Sequence, residues 1–153
     1  DYKKNMKFLI VGKGSLLEEM KQRVEKCKIK EHFNFVGFVD HEKIVDYYNK
    51  ISIFIAVSTR ESFGVSILEA AACGIPSITS NIGGLTEVNL HNETGFVINP
   101  NDSIKLAESI IRLFENSELR QNFGTNARKR VVEKFNWDNN VNEMIQIYKI
   151  YEH

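Results

Sequence analysis

The sequence predicts an α/β domain built on a doubly wound parallel sheet and followed by C-terminal helices. Short apolar runs, each closed by Gly, Asn, Asp or Pro, alternate with longer amphipathic segments as far as residue 98. This alternation is typical of strand and helix units around a parallel sheet. The central runs, such as 8–11 and 53–57, are apolar on both faces. They therefore favour helices packed on both sides of the sheet.

The individual elements follow from these runs. The apolar runs predict strands at 6–11, 33–38, 51–57, 77–79 and 95–98. The amphipathic segments between them predict helices at about 16–27, 42–49 and 65–73. Because each helix lies between two strands, the connections are those of a parallel sheet.

After the last strand the pattern becomes helical only. Asp102 or Ser103 can cap a helix that reaches residue 115, and two further helices are expected at about 118–134 and 138–151. No repeat, low-complexity tract or flexible linker interrupts the chain. We therefore treat 1–153 as one domain.

Composition excludes several classes of function. The 153 residues carry 20 basic and 20 acidic side chains, so no overall field attracts nucleic acid. The longest apolar run, 51–57, is far shorter than the roughly 20 residues of a membrane-spanning helix. Cys27 and Cys73 lack a partner motif, which favours reduced thiols. We expect a soluble cytoplasmic protein that holds any anion by local geometry.

The start of the chain suggests that a longer protein has been shortened. The sequence opens at Asp1 without an initiator methionine and enters a strand pattern within a few residues. We expect that a preceding segment is missing.

Ligands of an open parallel sheet bind at the carboxyl ends of the strands, where loops lead into helix N-termini. The first such loop is 12–15, in which Gly12 and Gly14 let the backbone approach a phosphate or a sugar closely. Simple turn chemistry explains these glycines equally well. The loop lacks the third glycine of a dinucleotide fingerprint and the ending of a P-loop. Gly12 and Gly14 remain candidate ligand-binding residues.

The stretch from 58 to 76 is the most informative part of the chain. A strand ends near Val57, a polar loop follows, Gly64 permits a tight approach, and a helix of small residues begins near Val65. The amides at the start of this helix would form an anion site.

Glu69 lies in the second turn of that helix, whose other side chains are mainly apolar. A lone carboxylate in this setting is costly unless it meets donors or water, so we expect it to face a cleft. The alternative is that Glu69 is a helix former at an exposed position, or is paired with a backbone group of the core.

Two further loops line the predicted sheet. The loop 81–87 follows a strand and starts a short helix, so it lies at the same edge; Glu87 is better explained as a first-turn acid than as a ligand. The segment 91–95 reads as a turn without chemistry.

The four histidines lie far apart and no Asp-x-Asp motif is present, so no metal is implied.

Together, these segments resemble a known enzyme family. The run from Glu61 to Pro76 resembles the E-x7-E signature of the group 1 (family 4) glycosyltransferases of the GT-B fold. Other landmarks of that family are matched in order and spacing by Phe35-Val36-Gly37-Phe38-Val39, Gly83-Gly84-Leu85-Thr86-Glu87, Thr94-Gly95-Phe96-Val97 and Phe135-Asn136-Trp137. The resemblance covers nearly the whole chain.

The resemblance implies a Rossmann-like half of a GT-B enzyme, namely its C-terminal, donor-nucleotide-binding domain, at 1–153. It implies that Glu69 accepts hydrogen bonds from the two ribose hydroxyls, for which an acceptor-only carboxylate is suited. It places Glu61, the candidate catalytic residue, against the transferred sugar. The backbone amides implied to contact the sugar and the diphosphate are those of Phe63, Gly64 and Val65. The residues around Val39 and His41 would flank the base.

The implied function is transfer of a sugar from a UDP-sugar or GDP-sugar, without another cofactor, to an acceptor hydroxyl with retention. The acceptor would be a sugar or a lipid-linked molecule in polysaccharide or glycoconjugate biosynthesis. The resemblance leaves open a peripheral association of the whole enzyme with the cytoplasmic membrane face.

The chain departs from the family pattern at its start. From the resemblance we expect that the family's acceptor-binding N-terminal domain, and the Arg and Lys segment that grips the diphosphate, are missing from this sequence. We therefore expect weak binding and no turnover from this chain alone. Two alternatives stay open, a sugar-nucleotide epimerase of GT-B fold and a non-catalytic regulatory module with a flavodoxin-like sheet.

Overall fold

The structure, a computed structural model, describes residues 6–151. The chain divides into two compact units, the first ending at Ile51 and the second beginning at Ser52.

The first unit contains one pair of parallel strands with short helices. Its elements are β1 (Phe8–Val11), α1 (Leu17–Lys26), a 3-10 turn (Lys30–His32), β2 (Phe33–Gly37), a second 3-10 turn (His41–Lys43) and α2 (Ile44–Tyr48). Strand β1 runs parallel to β2, with Phe8 opposite Phe33 and Val11 opposite Gly37. The rings of Phe8 and Phe33 stack with their centroids 4.8 Å apart, so aromatic contact reinforces the pairing.

The second unit contains a three-stranded parallel sheet in the order β3-β4-β5. Its elements are β3 (Phe54–Ala56), α3 (Val65–Ala72), β4 (Ser77–Ser80), α4 (Leu85–Val88), β5 (Gly95–Ile98), α5 (Ser103–Glu115), α6 (Ser117–Lys134) and α7 (Trp137–Ile150). All four residues of the central strand β4 are buried. The predicted class is confirmed, with parallel strands, intervening helices and C-terminal helices.

The strand predicted at 51–57 is shorter than expected, which corrects its bounds. The Ile51 amide donates to the Tyr48 carbonyl and closes the turn after α2. Ladder pairing begins only where the Phe54 amide donates to the Pro76 carbonyl, at 3.0 Å. Apolar character continues upstream of Phe54, but the backbone hydrogen bonds there serve a turn.

Side-chain caps set the starts of the C-terminal helices. The Asp102 carboxylate accepts from the Lys105 amide at 2.8 Å, which confirms Asp102 as the cap of α5. Asn116 caps α6 and Asn136 caps α7 through their side-chain oxygens. These two asparagines start each helix one residue earlier than predicted.

In the second unit, one apolar cluster lies around the sheet and another lies beside the loops that follow β3 and β4. One gathers Ile78, Phe96, Ile98, Leu113 and Phe123 around the sheet, α5 and α6. The other, here called the loop-side cluster, consists of Ile67, Leu85 and Val88, with partly buried Phe135 and other apolar side chains packed against it. Helix α7 buries none of its residues.

A buried polar network joins α4 to the sheet. The Asn89 amide nitrogen lies within 3.0–3.2 Å of oxygens of Ser77, Thr79 and Phe96. The Thr94 hydroxyl donates to the Asn89 side-chain oxygen at 2.8 Å. At Gly95 an added Cβ would lie 1.8 Å from the Ser77 carbonyl oxygen. The Thr94-Gly95 landmark therefore has a packing role, because it lets β5 close against β4.

Two properties expected from composition concern membrane-spanning helices and the state of the two cysteines. No helix within residues 6–151 combines the length and the apolar character needed to cross a membrane. Cys27 is exposed, Cys73 is half-buried, and both are free thiols.

Candidate functional site

The loops after β3 and β4 meet, as expected for neighbouring parallel strands. The Gly84 amide donates to the Ser62 carbonyl oxygen at 3.0 Å. An added Cβ at Gly83 would lie 2.2 Å from the Glu61 carbonyl oxygen, so the two backbones are in direct contact there. Because the resemblance assigns these residues to the sugar donor, we call residues 61–64 the donor loop. The turn at 83–84 supports it from one side.

Gly64 ends the donor loop and occupies the N-cap position of α3. Its φ of 85° lies in the left-handed region that favours glycine. An added Cβ would lie 2.6 Å from Leu85 Cδ2 and 2.9 Å from Ile67 Cδ1, and both of those side chains are fully buried. Packing within the chain therefore already requires a glycine here. The close approach that the sequence suggested involves Leu85 and Ile67 as well as any ligand.

The side chains of the donor loop and the start of α3 are accessible. Glu61 is exposed, and its Oε1 accepts from the Ser62 amide at 3.1 Å. Phe63 is 39% exposed and Val65 is 60% exposed. Gly64 offers no side-chain cap to the first amides of α3, and such amides suit an anion. Their roles toward a ligand stay predictions.

Glu69 lies in the second turn of α3, beside core residues. Ile67, Ala70 and Ala71 are buried, whereas Glu69 is half-buried. Its position is therefore neither that of a fully exposed helix former nor that of a core group. The predicted contact of this carboxylate with ribose hydroxyls stays a prediction.

The other predicted site residues lie in the first unit. The Gly12 amide donates to the Gly37 carbonyl oxygen at 2.7 Å, and Gly12 has a φ of 127°. An added Cβ at Gly12 or Gly14 would meet no atom within 4 Å, so this loop is open around both glycines. Val39 is half-buried, and exposed His41 begins a 3-10 turn.

Lys13 lies between these two glycines and contacts an aromatic ring. Its Nζ is 4.8 Å from the centroid of the Phe38 ring, which is 64% exposed. The structure therefore gives Lys13 a cation–π partner at the end of β2.

Glu87 and His91, in the two other loops considered in the sequence, have positions that a structural role explains. Glu87 lies in the first turn of α4 and is exposed, as expected for a first-turn acid. His91 Nδ1 accepts from the Val97 amide at 3.0 Å, so this ring helps to hold the turn before β5. Within residues 6–151 no group of three or more His, Cys, Asp or Glu side chains is arranged to hold a metal ion.

Sequence reasoning missed two residues that contact this region. Phe135 packs its ring edge against Phe63 with centroids 6.0 Å apart, and Arg130 lies over the Phe135 ring. Phe135 belonged to a recognised landmark without a role, and Arg130 to no motif. The sequence of α6 contains many polar residues and gives no sign that this one arginine is half-buried, so its burial is known only from the structure.

These features define the chain as an α/β domain of the GT-B glycosyltransferase type, with parallel strands that end in paired loops. The family described as glycosyl transferases group 1 matches residues 1–130. The chain belongs to this family, as its motifs predicted.

Individual relatives agree with this membership. N-acetyl-alpha-D-glucosaminyl L-malate synthase of Bacillus anthracis is 33% identical over 142 residues, which are 93% of this chain and 37% of that protein. The structure of sucrose-phosphate synthase from Thermosynechococcus elongatus aligns with a TM-score of 0.84 at 31% identity, over 94% of this chain and 38% of that one. Anabaena HepE, crystallised with UDP, aligns with a TM-score of 0.87 at 23% identity, over 94% and 41%; this last likeness concerns the fold alone. The chain thus spans well under half the length of these relatives.

Proposed function

We propose that this chain binds the nucleoside diphosphate part of a sugar donor. The observation that carries the proposal is the arrangement at the end of β3, where the exposed donor loop leads through Gly64 into α3, with Glu61 before the glycine and Glu69 behind it. Membership of the group 1 glycosyltransferases supports a nucleotide sugar as the ligand.

Each part of this arrangement suits one part of such a donor. The Glu69 carboxylate is an acceptor-only group that can take both ribose hydroxyls at once. The amides of residues 63–65 can receive the diphosphate at the start of α3. Glu61 is assigned to the sugar, because it precedes the glycine. Gly12, Gly14, Val39 and His41 are assigned to the remainder of the nucleotide.

We propose that the nucleotide is uridine diphosphate or guanosine diphosphate. HepE has been crystallised with UDP, with UDP and glucose, and with UDP-glucose. That protein shares only 23% identity with this chain, so its ligand supports the nucleotide class and leaves the base to experiment.

For the complete enzyme we propose transfer of the sugar to an acceptor hydroxyl with retention, without a further cofactor. The acceptor, a sugar or a lipid-linked molecule, would be bound by a domain outside these residues. Amides at the start of α3 would stabilise the charge that develops on the departing diphosphate. By this proposal the chain alone binds nucleotide weakly and transfers nothing, and the enzyme works in the cytoplasm or at the cytoplasmic membrane face.

Titration of the chain with UDP and GDP, followed by amide NMR shifts, tests the nucleotide assignment. We expect millimolar ligand to shift the amides of residues 61–69. Glu69→Gln should weaken binding by about tenfold, because hydrogen bonds to a charged acceptor contribute on the order of 1.5–3 kcal/mol. Glu61→Gln is the matched control and should leave diphosphate affinity nearly unchanged. Absence of shifts at 61–69 with both nucleotides would count against the proposal.

The same pair of variants separates the roles in the complete enzyme. Glu61→Gln should lower transfer sharply, because its contact strengthens only as the sugar reacts. Glu69→Gln should lower both affinity and transfer. Equal losses of diphosphate affinity in the two variants would show that the division of roles is wrong.

A further inference from the structure

Arg130 is a half-buried arginine in α6 that contacts a backbone carbonyl group and an aromatic ring. Its Nη2 donates to the Glu87 backbone carbonyl oxygen at 2.5 Å. Its guanidinium carbon lies 5.8 Å from the centroid of the Phe135 ring, and its Nε is buried without a hydrogen-bond partner. Withdrawing a guanidinium from water in this way has a desolvation cost. The side chain therefore connects α4 to the end of α6, and this connection has an unfavourable desolvation free energy.

Phe135 links this arginine to the donor loop. It is the C-cap residue of α6 and packs against the loop-side cluster. Its ring meets the Phe63 ring edge-on, at 6.0 Å between centroids and an interplanar angle of 64°, which is a favourable aromatic geometry. Phe63 thus has its position set partly by the junction between α6 and α7.

These contacts form a continuous ring that begins and ends at the donor loop. On one side, the Ser62 carbonyl accepts from the Gly84 amide, at the start of α4. Further along α4, the Glu87 carbonyl accepts from Arg130. On the other side, Phe135 lies between Arg130 and Phe63. The donor loop is therefore held from two directions that meet at one arginine.

We propose that Arg130 and Phe135 are positioning residues that hold the donor loop in its nucleotide-binding arrangement. This inference rests on the proposed function of that loop. Arg130 acts through Glu87 and the α4 turn, and Phe135 acts through the ring of Phe63. Loss of either contact lets the loop populate other arrangements, which lowers the apparent affinity in proportion to the competent fraction.

The first test replaces Arg130 and uses Arg128 as a matched control. Both arginines lie on α6 and donate to a backbone carbonyl, but Arg128 donates to Ala72 at the far end of α3. Arg130→Gln should lower the affinity for UDP or GDP about three- to tenfold and shift the amides of Ser62 and Gly64. Arg128→Gln should leave the affinity and those amide shifts close to wild type.

The second test asks whether Phe135 acts through Phe63. Phe135→Leu and Phe63→Leu should each weaken nucleotide binding, and the double variant should lose less than the product of the two losses. Phe123 makes a similar edge contact with Phe96 in the other cluster, at 5.5 Å. Phe123→Leu should therefore lower the melting temperature while leaving nucleotide affinity unchanged.

The outcomes separate this inference from the proposed function. If wild type binds neither UDP nor GDP, the proposed function fails, yet the amide shifts of Ser62 and Gly64 in unliganded Arg130→Gln still report on positioning. Equal affinities and equal loop shifts in Arg130→Gln and Arg128→Gln would overturn the inference. Multiplicative losses for Phe135→Leu and Phe63→Leu would overturn the part assigned to Phe135.

Discussion

The glycine loops after β1 and β3 look alike in sequence but differ in structure. In the first, an added Cβ at Gly12 or Gly14 would meet open space. In the second, an added Cβ at Gly64 would meet Leu85 and Ile67 at less than 3 Å. Glycine at a strand-to-helix turn can therefore record either free space or dense packing. The glycine of the loop after β3 packs against buried side chains of its own unit, whereas the glycines of the loop after β1 face open space.

Alanine at Gly64 should have the largest effect, because it adds a clash with buried side chains to a φ of 85°. We expect the free energy of unfolding to fall by about 2–4 kcal/mol, measured by urea denaturation followed by circular dichroism. Gly14→Ala is the control, and its effect should stay within about 0.5 kcal/mol. Similar losses in the two variants would remove the contrast between the loops.

Alanine at Gly83 should have an intermediate effect that is concentrated in the donor loop. An added Cβ there would lie 2.2 Å from the Glu61 carbonyl oxygen, and φ is 47°. We expect a loss of about 1–3 kcal/mol, with amide shifts at residues 61–63. Gly12 also has a positive φ, of 127°, but an added Cβ there meets no atom within 4 Å, so the strain of Gly12→Ala should leave those amides unshifted. Shifts at 61–63 in both variants would contradict this distinction.

Alanine at Lys13 should have the smallest effect. Its Nζ lies over the exposed ring of Phe38, and such contacts contribute about 0.5–1 kcal/mol at exposed sites. We expect a loss near the lower figure in urea denaturation. Lys13→Arg should retain the contact and serves as the control. A loss well above 1 kcal/mol would mean that the first loop is more strongly held than its glycines indicate.

The fold was largely predictable because most of its strands and helices are determined by patterns of neighbouring residues. The apolar run at 95–98 and the cap at Asp102 matched the structure, since strand period and helix capping are written in adjacent residues. The strand at 51–57 was overextended, because apolar character alone does not reveal where backbone amides turn to serve a preceding helix.

The candidate site was predictable only in part. The donor loop and its glycine stood out as a motif, but the reason for Gly64 lies in Leu85, about 20 positions away in the sequence. Arg130 and Asn89 carried no sequence signal, because their importance comes from carbonyl oxygens that distant segments place around them. Side-chain contacts between distant segments are set by packing, which a single sequence does not display.

The contact between Phe63 and Phe135 also bears on where this domain ends. The family match stops at residue 130, whereas the ring that packs against the donor loop and the loop-side cluster lies beyond it, at the end of α6. A boundary drawn at the end of the match would remove the last turn of α6 and uncover part of that cluster. On the evidence of packing, the folded domain of this chain therefore extends past Phe135, beyond the last residue matched by the family model.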